Sequence, residues 1–287
     1  MALRLKGGGP LPEVGDRLVV GTCDIAGAGV RALLGLVRAD GAPPPAVHEL
    51  ELASLVAPLS RDDADARAVF VPPGADGDAT PAVSLVRLDE RLSLLAVNAT
   101  TREEDEAPLA AAVLALAADC GHLLIAGALR VDTDAPLMEV ELGGESNSEK
   151  RETPLATSGA EDAPKMRDGV LAALFHAARA TGARATGVFV PGHRVARLGG
   201  GLGGDGTHEG ATELDATRAT HALGEAVARK LNELDRSDRS DRSDRSAQNE
   251  PRDAYRYDAA AAGRFRAARL WWRENAGAPA RADRMYT

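Results

Sequence analysis

Arg17-Leu18-Val19-Val20-Gly21-Thr22-Cys23 is an apolar run of strand length, and it passes directly into Asp24-Ile25-Ala26-Gly27-Ala28-Gly29. Val30-Arg31-Ala32-Leu33-Leu34-Gly35-Leu36-Val37 then reads as helix, until Ala42-Pro43-Pro44-Pro45 breaks it. A strand, a glycine-rich turn and a helix in that order open a wound α/β unit. A further strand is expected near Val47 to Leu52. Ala82 to Leu88 and Leu92 to Asn98, split by Asp89-Glu90-Arg91, read as a hairpin.

Helix is expected from about Glu106 to Asp119, and strand over Leu123-Leu124-Ile125-Ala126-Gly127. The spacing of Leu171, Leu174, Phe175 and Ala178 predicts an amphipathic helix from Gly169 that ends at Gly182. Ala185 to Val190 is the next strand, Ala211 to Leu234 the next helix, and Ala259 to Trp272 a last amphipathic segment. Trp271 and Trp272 would anchor that segment to the body. Continuous apolar strands alternating with helices imply a sheet covered on both faces. The expected fold is a wound, mostly parallel α/β sheet with helices on both faces, a single domain with a flexible C-terminal tail.

Between these elements lie stretches expected to be surface loops: 141–167, rich in Gly, Glu, Ser, Thr, Lys and Pro, and the glycine cluster Gly199 to Gly206. Asp235-Arg236-Ser237 repeats four times, through Ser246. A tripeptide of balanced charge buries no apolar area, so removing residues 236–246 is expected to leave the melting temperature nearly unchanged. The chain divides into an α/β domain (1–234), an Asp-Arg-Ser linker (235–250) and a C-terminal helix with its tail (251–287).

Composition narrows the function classes. A net charge of −9 with no basic stripe argues against nucleic acid as the main partner. No apolar run approaches the roughly 18 residues of a membrane span, and the N-terminus lacks the apolar stretch of a signal peptide. Cys23 and Cys120 sit in apolar segments without metal-ligand spacing, and read as buried thiols in a reducing compartment. Asn98-Ala99-Thr100 matches a glycosylation sequon by chance.

The candidate chemical motifs are incomplete. Gly199–Gly206 lacks the Lys-Ser/Thr of a phosphate-binding loop and starts well beyond its strand. Gly27-Ala28-Gly29 with Ala32 satisfies the looser dinucleotide fingerprint, yet Glu49 and Glu51 are the nearest acidic candidates and lack a clean βαβ context. Asp205, His208 and Glu209 include metal-ligand types in a loop with little to fix their geometry. Asp62, Asp63 and Asp65 read as solvated loop surface, and His176 and His221 fall on helices with polar neighbours. No nucleophile elbow or His-Glu-x-x-His helix occurs. The expectation is a protein that is not an enzyme, without catalytic residue, metal or cofactor.

What remains is the end of the chain, Met285-Tyr286-Thr287. A hydrophobic residue, a tyrosine and a last residue bearing the carboxylate can plug a pocket that offers a lysine or a nest of N–H groups.

Arranged this way, the chain resembles the proteasome assembly chaperone family. The resemblance starts at Leu18 to Ala32, where the family runs a strand into a Gly-Asn-Val-Gly type of turn; Gly29 keeps the second glycine, while Ala26 and Gly27 stand for Gly-Asn. Leu55-Val56-Ala57-Pro58-Leu59 is similar to the family's Leu-Val-Pro segment, and Leu174 to Thr186 to its helix–Gly–strand stretch. Trp272-Arg273 matches near the end. The body is most similar to chaperone 2, whereas the Tyr286-Thr287 ending is closer to chaperone 1.

The resemblance implies a cytoplasmic, also nuclear, non-enzymatic chaperone that heterodimerises with a paralogue. The pair would bind the α-ring of the 20S core particle, promoting its assembly and preventing off-pathway ring association. Met285, Tyr286 and Thr287 would be the docking motif. The competing class is a phosphorylase- or hydrolase-like enzyme on a similar wound scaffold.

Overall fold

The computed structural model describes residues 3–5, 7–22, 28–42, 47–52, 83–97, 103–129, 137–142, 169–191, 207–241 and 253–260. Its elements are, in chain order, β1 (Leu3–Leu5), β2 (Arg17–Thr22), α1 (Ala28–Leu34), β3 (Leu36–Arg38), β4 (Val47–Leu52), β5 (Val83–Arg87) and β6 (Leu92–Val97). Then come α2 (Glu103–Leu116), β7 (His122–Leu129), β8 (Met138–Leu142), α3 (Gly169–Thr181), β9 (Ala185–Pro191), α4 (Thr207–Asp241) and β10 (Tyr255–Tyr257).

Eight strands form one sheet in the order β1-β4-β5-β6-β2-β7-β9-β8. The expected wound α/β sheet is present, with a refinement. The centre is parallel, β6 and β7 flanking β2 and β9 following β7, while β5, β4, β1 and β8 join antiparallel at its sides. The hairpin read from the sequence is β5–β6, with Val83 opposite Val97 and Arg87 opposite Ser93.

The central strands read as unbroken apolar runs because both faces are covered. On β2, Val19 points into one cluster and Leu18 and Val20 into the other. Likewise β7 sends Leu124, Ala126 and Ala128 to one side and Leu123, Ile125 and Leu129 to the other. The first face is covered by α1 and α4 through Leu33, Leu223, Val227 and Leu231. The second is covered by α2 and α3 through Leu109, Val113, Leu171 and Leu174. With so few aromatics, the core depends on close approach. A Cβ on Gly21 would lie 2.1 Å from Leu33 Cδ1, and one on Gly29 would lie 2.7 Å from the Ala126 carbonyl oxygen.

Helix α3 stops where the sequence places its end. Gly182 takes φ +68°, and Ala183 N donates to Ala178 O at 3.0 Å, closing a glycine C-cap.

Four differences from the sequence reading stand out. The first helix ends at Leu34 rather than Val37, because Leu36–Arg38 turns out as β3 and pairs antiparallel with β10. The expected loop 141–167 begins inside a strand, since Met138–Leu142 is β8. Three-residue β1 is too short to register as a periodic run. Helix α4 does not stop at Leu234 but continues to Asp241, through the first units of the Asp-Arg-Ser repeat.

Candidate functional site

The expected docking residues Met285, Tyr286 and Thr287 lie outside the described residues, as do Trp271, Trp272, Asp62, Asp63, Asp65 and the glycine cluster 199–206. The last described stretch before them in the chain is 253–260. Strand β10 ends three residues before Ala260, the last described position, and it is pinned from three directions.

Asn232 on α4 serves as a one-residue ladder partner. Its Nδ2 donates to Tyr255 O at 2.8 Å, and its Oδ1 accepts from Ala254 N at 3.0 Å and Tyr255 N at 3.1 Å. Tyr255 OH donates to Asp89 Oδ2 at 2.9 Å, tying β10 to the β5–β6 turn. Burial first, and Asp89 beside it, push the Tyr255 phenol well above its ordinary range. The Tyr257 ring fills a slot left open by two glycines: a Cβ on Gly35 or Gly224 would come within 2.1 or 2.2 Å of it. His221 lies against the same ring, centroids 5.6 Å apart, and burial raises the Tyr257 phenol to about 12.

Beside this anchor is a charge cluster that the sequence reading missed. Arg17, the first residue of β2, is 3% exposed in its side chain and meets Asp235, 7% exposed, at 3.3 Å. Arg17 also pairs with Asp238. Arg91, in the β5–β6 turn, reaches the same two carboxylates at 2.6 and 3.2 Å, and Asp16 at 3.4 Å. On a helix, residues three apart share a face, so the repeat's own period aims Asp235 and Asp238 together at the two arginines. The expectation that this segment packs nowhere is therefore overturned for its first two units. The available signal was Arg17, a cation opening an apolar strand.

A second cluster sits at the start of β7. His122 Nε2 is 2.9 Å from Thr186 Oγ1, while Nδ1 is buried with no hydrogen-bond partner among the described residues. Burial, then the positive charges of Arg184, Arg17 and Lys230, lower the imidazole from 6.5 to about 4. Protonation thus disfavours the folded state, and the stability present above about pH 6.5 is lost as pH falls towards 4. Between pH 7 and 5 the loss is expected to be about 2 kcal/mol. Denaturant titrations at the two pH values check it, and His122→Gln should flatten the difference.

The chemical candidates from the sequence do not converge. Ala28 and Gly29 begin a seven-residue helix, with Gly29 packed closely on Ala126 and Thr22, while Gly27 lies outside the described residues. Glu49 and Glu51 lie on β4, separated from β2 by β5 and β6, so they cannot close a dinucleotide-binding βαβ unit. Asp205 is outside the described residues; His208 and Glu209 fall on the first turn of α4. Among the described residues no group of metal-ligating side chains gathers. Cys120 is half-buried, and burial lifts its thiol to about 11, leaving little nucleophilic thiolate; Cys23 is not described. No helix among the described residues is long and apolar enough to cross a membrane.

No protein-family model and no curated protein sequence matches the chain. Solved structures of similar arrangement do exist. One is Pyrococcus furiosus PbaA, described as an archaeal homolog of proteasome-assembly chaperone, at 11% identity over 84% of this chain and 91% of that one, TM-score 0.44. Another is Pyrococcus furiosus PbaB, described as an archaeal proteasome activator, at 12% identity over 84% and 98%, TM-score 0.41. A third is a PAC2 family protein from Streptomyces avermitilis, at 18% identity over 61% and 76%, TM-score 0.30.

Proposed function

We propose that the chain is a proteasome assembly chaperone subunit. It pairs with a paralogous chaperone, binds the α-ring of the 20S core particle, promotes ring assembly and keeps rings from associating off pathway. Docking runs through Met285, Tyr286 and Thr287. Supporting this is the agreement between the resemblance and the folded elements. The run Leu18 to Ala32 that carries the resemblance holds β2 and the start of α1, and the stretch Leu174 to Thr186 holds the end of α3, Gly182 and the start of β9, as a strand-to-helix and a helix–Gly–strand passage imply. A weak three-residue plug gains effective concentration when it is tethered to a body that also touches the ring.

Affinity purification of the tagged full-length chain from its source cell tests the reading. It is expected to yield a one-to-one complex with a second chaperone, together with α subunits, and an interface of standard size, about 1,600 Å² in total. A chain that purifies alone and turns over a small metabolite overturns it.

A further inference from the structure

We propose that the outer edge of β8 is a pairing site for a partner strand that carries lysine or arginine at alternate positions, and that it refuses a second copy of itself. The proposal deepens the pairing of paralogues argued above by naming the surface and its chemistry. Strand β8 reads Met138-Glu139-Val140-Glu141-Leu142 and pairs with β9 along one side only; its other side has no strand among the described residues. Met138, Val140 and Leu142 pack on the α2–α3 side of the sheet, so the backbone of the edge is held in place.

Glu139 and Glu141 lie on the opposite face, towards α4. Lys230 is the cation that reaches them, at 3.1 and 3.6 Å, and Glu233 shares it at 3.7 Å. Burial works against the charge on Lys230, but its hydrogen bond to Glu139 and the neighbouring carboxylates outweigh it. Among the described residues, three carboxylates share this one ammonium within ion-pair distance and leave a surplus of negative charge there, and the Glu141 side chain is 79% exposed.

An extended segment added to this edge would continue the ladder, with main-chain bonds supplying affinity and alternate side chains supplying selection. If two copies of β8 paired antiparallel about Val140, Glu139 of each would face Glu141 of the other, and like charges directly opposite are destabilising. Charges on an edge strand block pairing with a like edge. The same charges favour an edge of opposite sign. At the far side of the sheet, β1 offers three residues with a single arginine, Arg4, too short to serve equally.

The test needs neither the ring nor the paralogue, so its failure is separable from failure of the chaperone reading. The wild-type chain is mixed with its own Glu139→Lys/Glu141→Lys variant, each mass-tagged, and followed by native mass spectrometry and sedimentation. A mixed pair is expected at least tenfold tighter than either chain with itself, weakening as salt rises. Absence of a mixed pair, or wild-type self-association through β8, overturns the proposal.

Should the double variant fail to fold, an end-capped peptide with a Met-Lys-Val-Lys-Leu core is titrated into the wild-type chain by NMR. Shifts on β8 amides that weaken at least tenfold in Glu139→Gln/Glu141→Gln support the site; no shifts overturn it. Slow hydrogen exchange at every β8 amide of the isolated chain also overturns it, because the chain then covers its own edge.

Discussion

Asp235→Ala is expected to destabilise the fold by about 3 kcal/mol or more, the range for removing one partner of a buried ion pair. Arg17 is nearly sequestered at the start of β2, and losing Asp235 takes away its buried carboxylate and leaves it the partly exposed Asp238. Arg91 loses its 2.6 Å contact in the same stroke. The damage should spread to β10, since Asn232 and Tyr255 hold that strand from the same end of α4 and from the turn that carries Arg91. Denaturant unfolding gives the magnitude, and hydrogen exchange at Tyr255 to Tyr257 reports the local loss. Arg17→Met combined with Asp235→Leu should cost less than the sum of the single changes, because it removes the buried charges together. Equal stability of Asp235→Ala and wild type would show that the cluster is solvated.

The same geometry redraws which part of the repeat is dispensable. Deleting residues 236–246 removes Asp238 with its contacts to both arginines, and a clear drop in melting temperature is now the expected result. Deleting 242–247 instead spares them. From Asn232 to Asp241 the helix rises roughly 13 Å at about 1.5 Å per residue, and the five residues 248–252 can span that return at about 3.3 Å each. The melting temperature should then move little.

Sequence made the central sheet legible because its strands are buried on both faces, and α3 because it is amphipathic and glycine-capped. Leu18-Val19-Val20, Leu94-Leu95 and Leu123-Leu124-Ile125 are recognisable as strand without any knowledge of their partners. What stayed hidden depends on distant partners. Strand β3 exists only because Tyr255–Tyr257 returns more than two hundred residues later to pair with it, and β10 in turn relies on the Asn232 side chain. Asp235 and Asp238 look like low-complexity sequence until Arg17 and Arg91 stand opposite them. Local pattern carries local structure, and a buried charge pair has no local pattern.

Removing Met285, Tyr286 and Thr287 is expected to weaken α-ring binding by about 2 kcal/mol or more, roughly thirtyfold, without changing the unfolding midpoint or pairing with the partner chaperone. The separation follows from position along the chain. These residues come well after Ala260, beyond the strand that Asn232, Asp89 and the Gly35–Gly224 slot fasten to the body. Tyr286→Ala should reproduce much of the loss, because a tyrosine anchored in a pocket carries area at low entropic cost. The partner's own tail can mask the effect, as two tethered plugs on one ring act as a bivalent ligand. The measurement therefore varies both tails, alone and together. Binding that survives deletion of both would place the affinity in the bodies of the two chaperones and end the docking assignment of Met285, Tyr286 and Thr287.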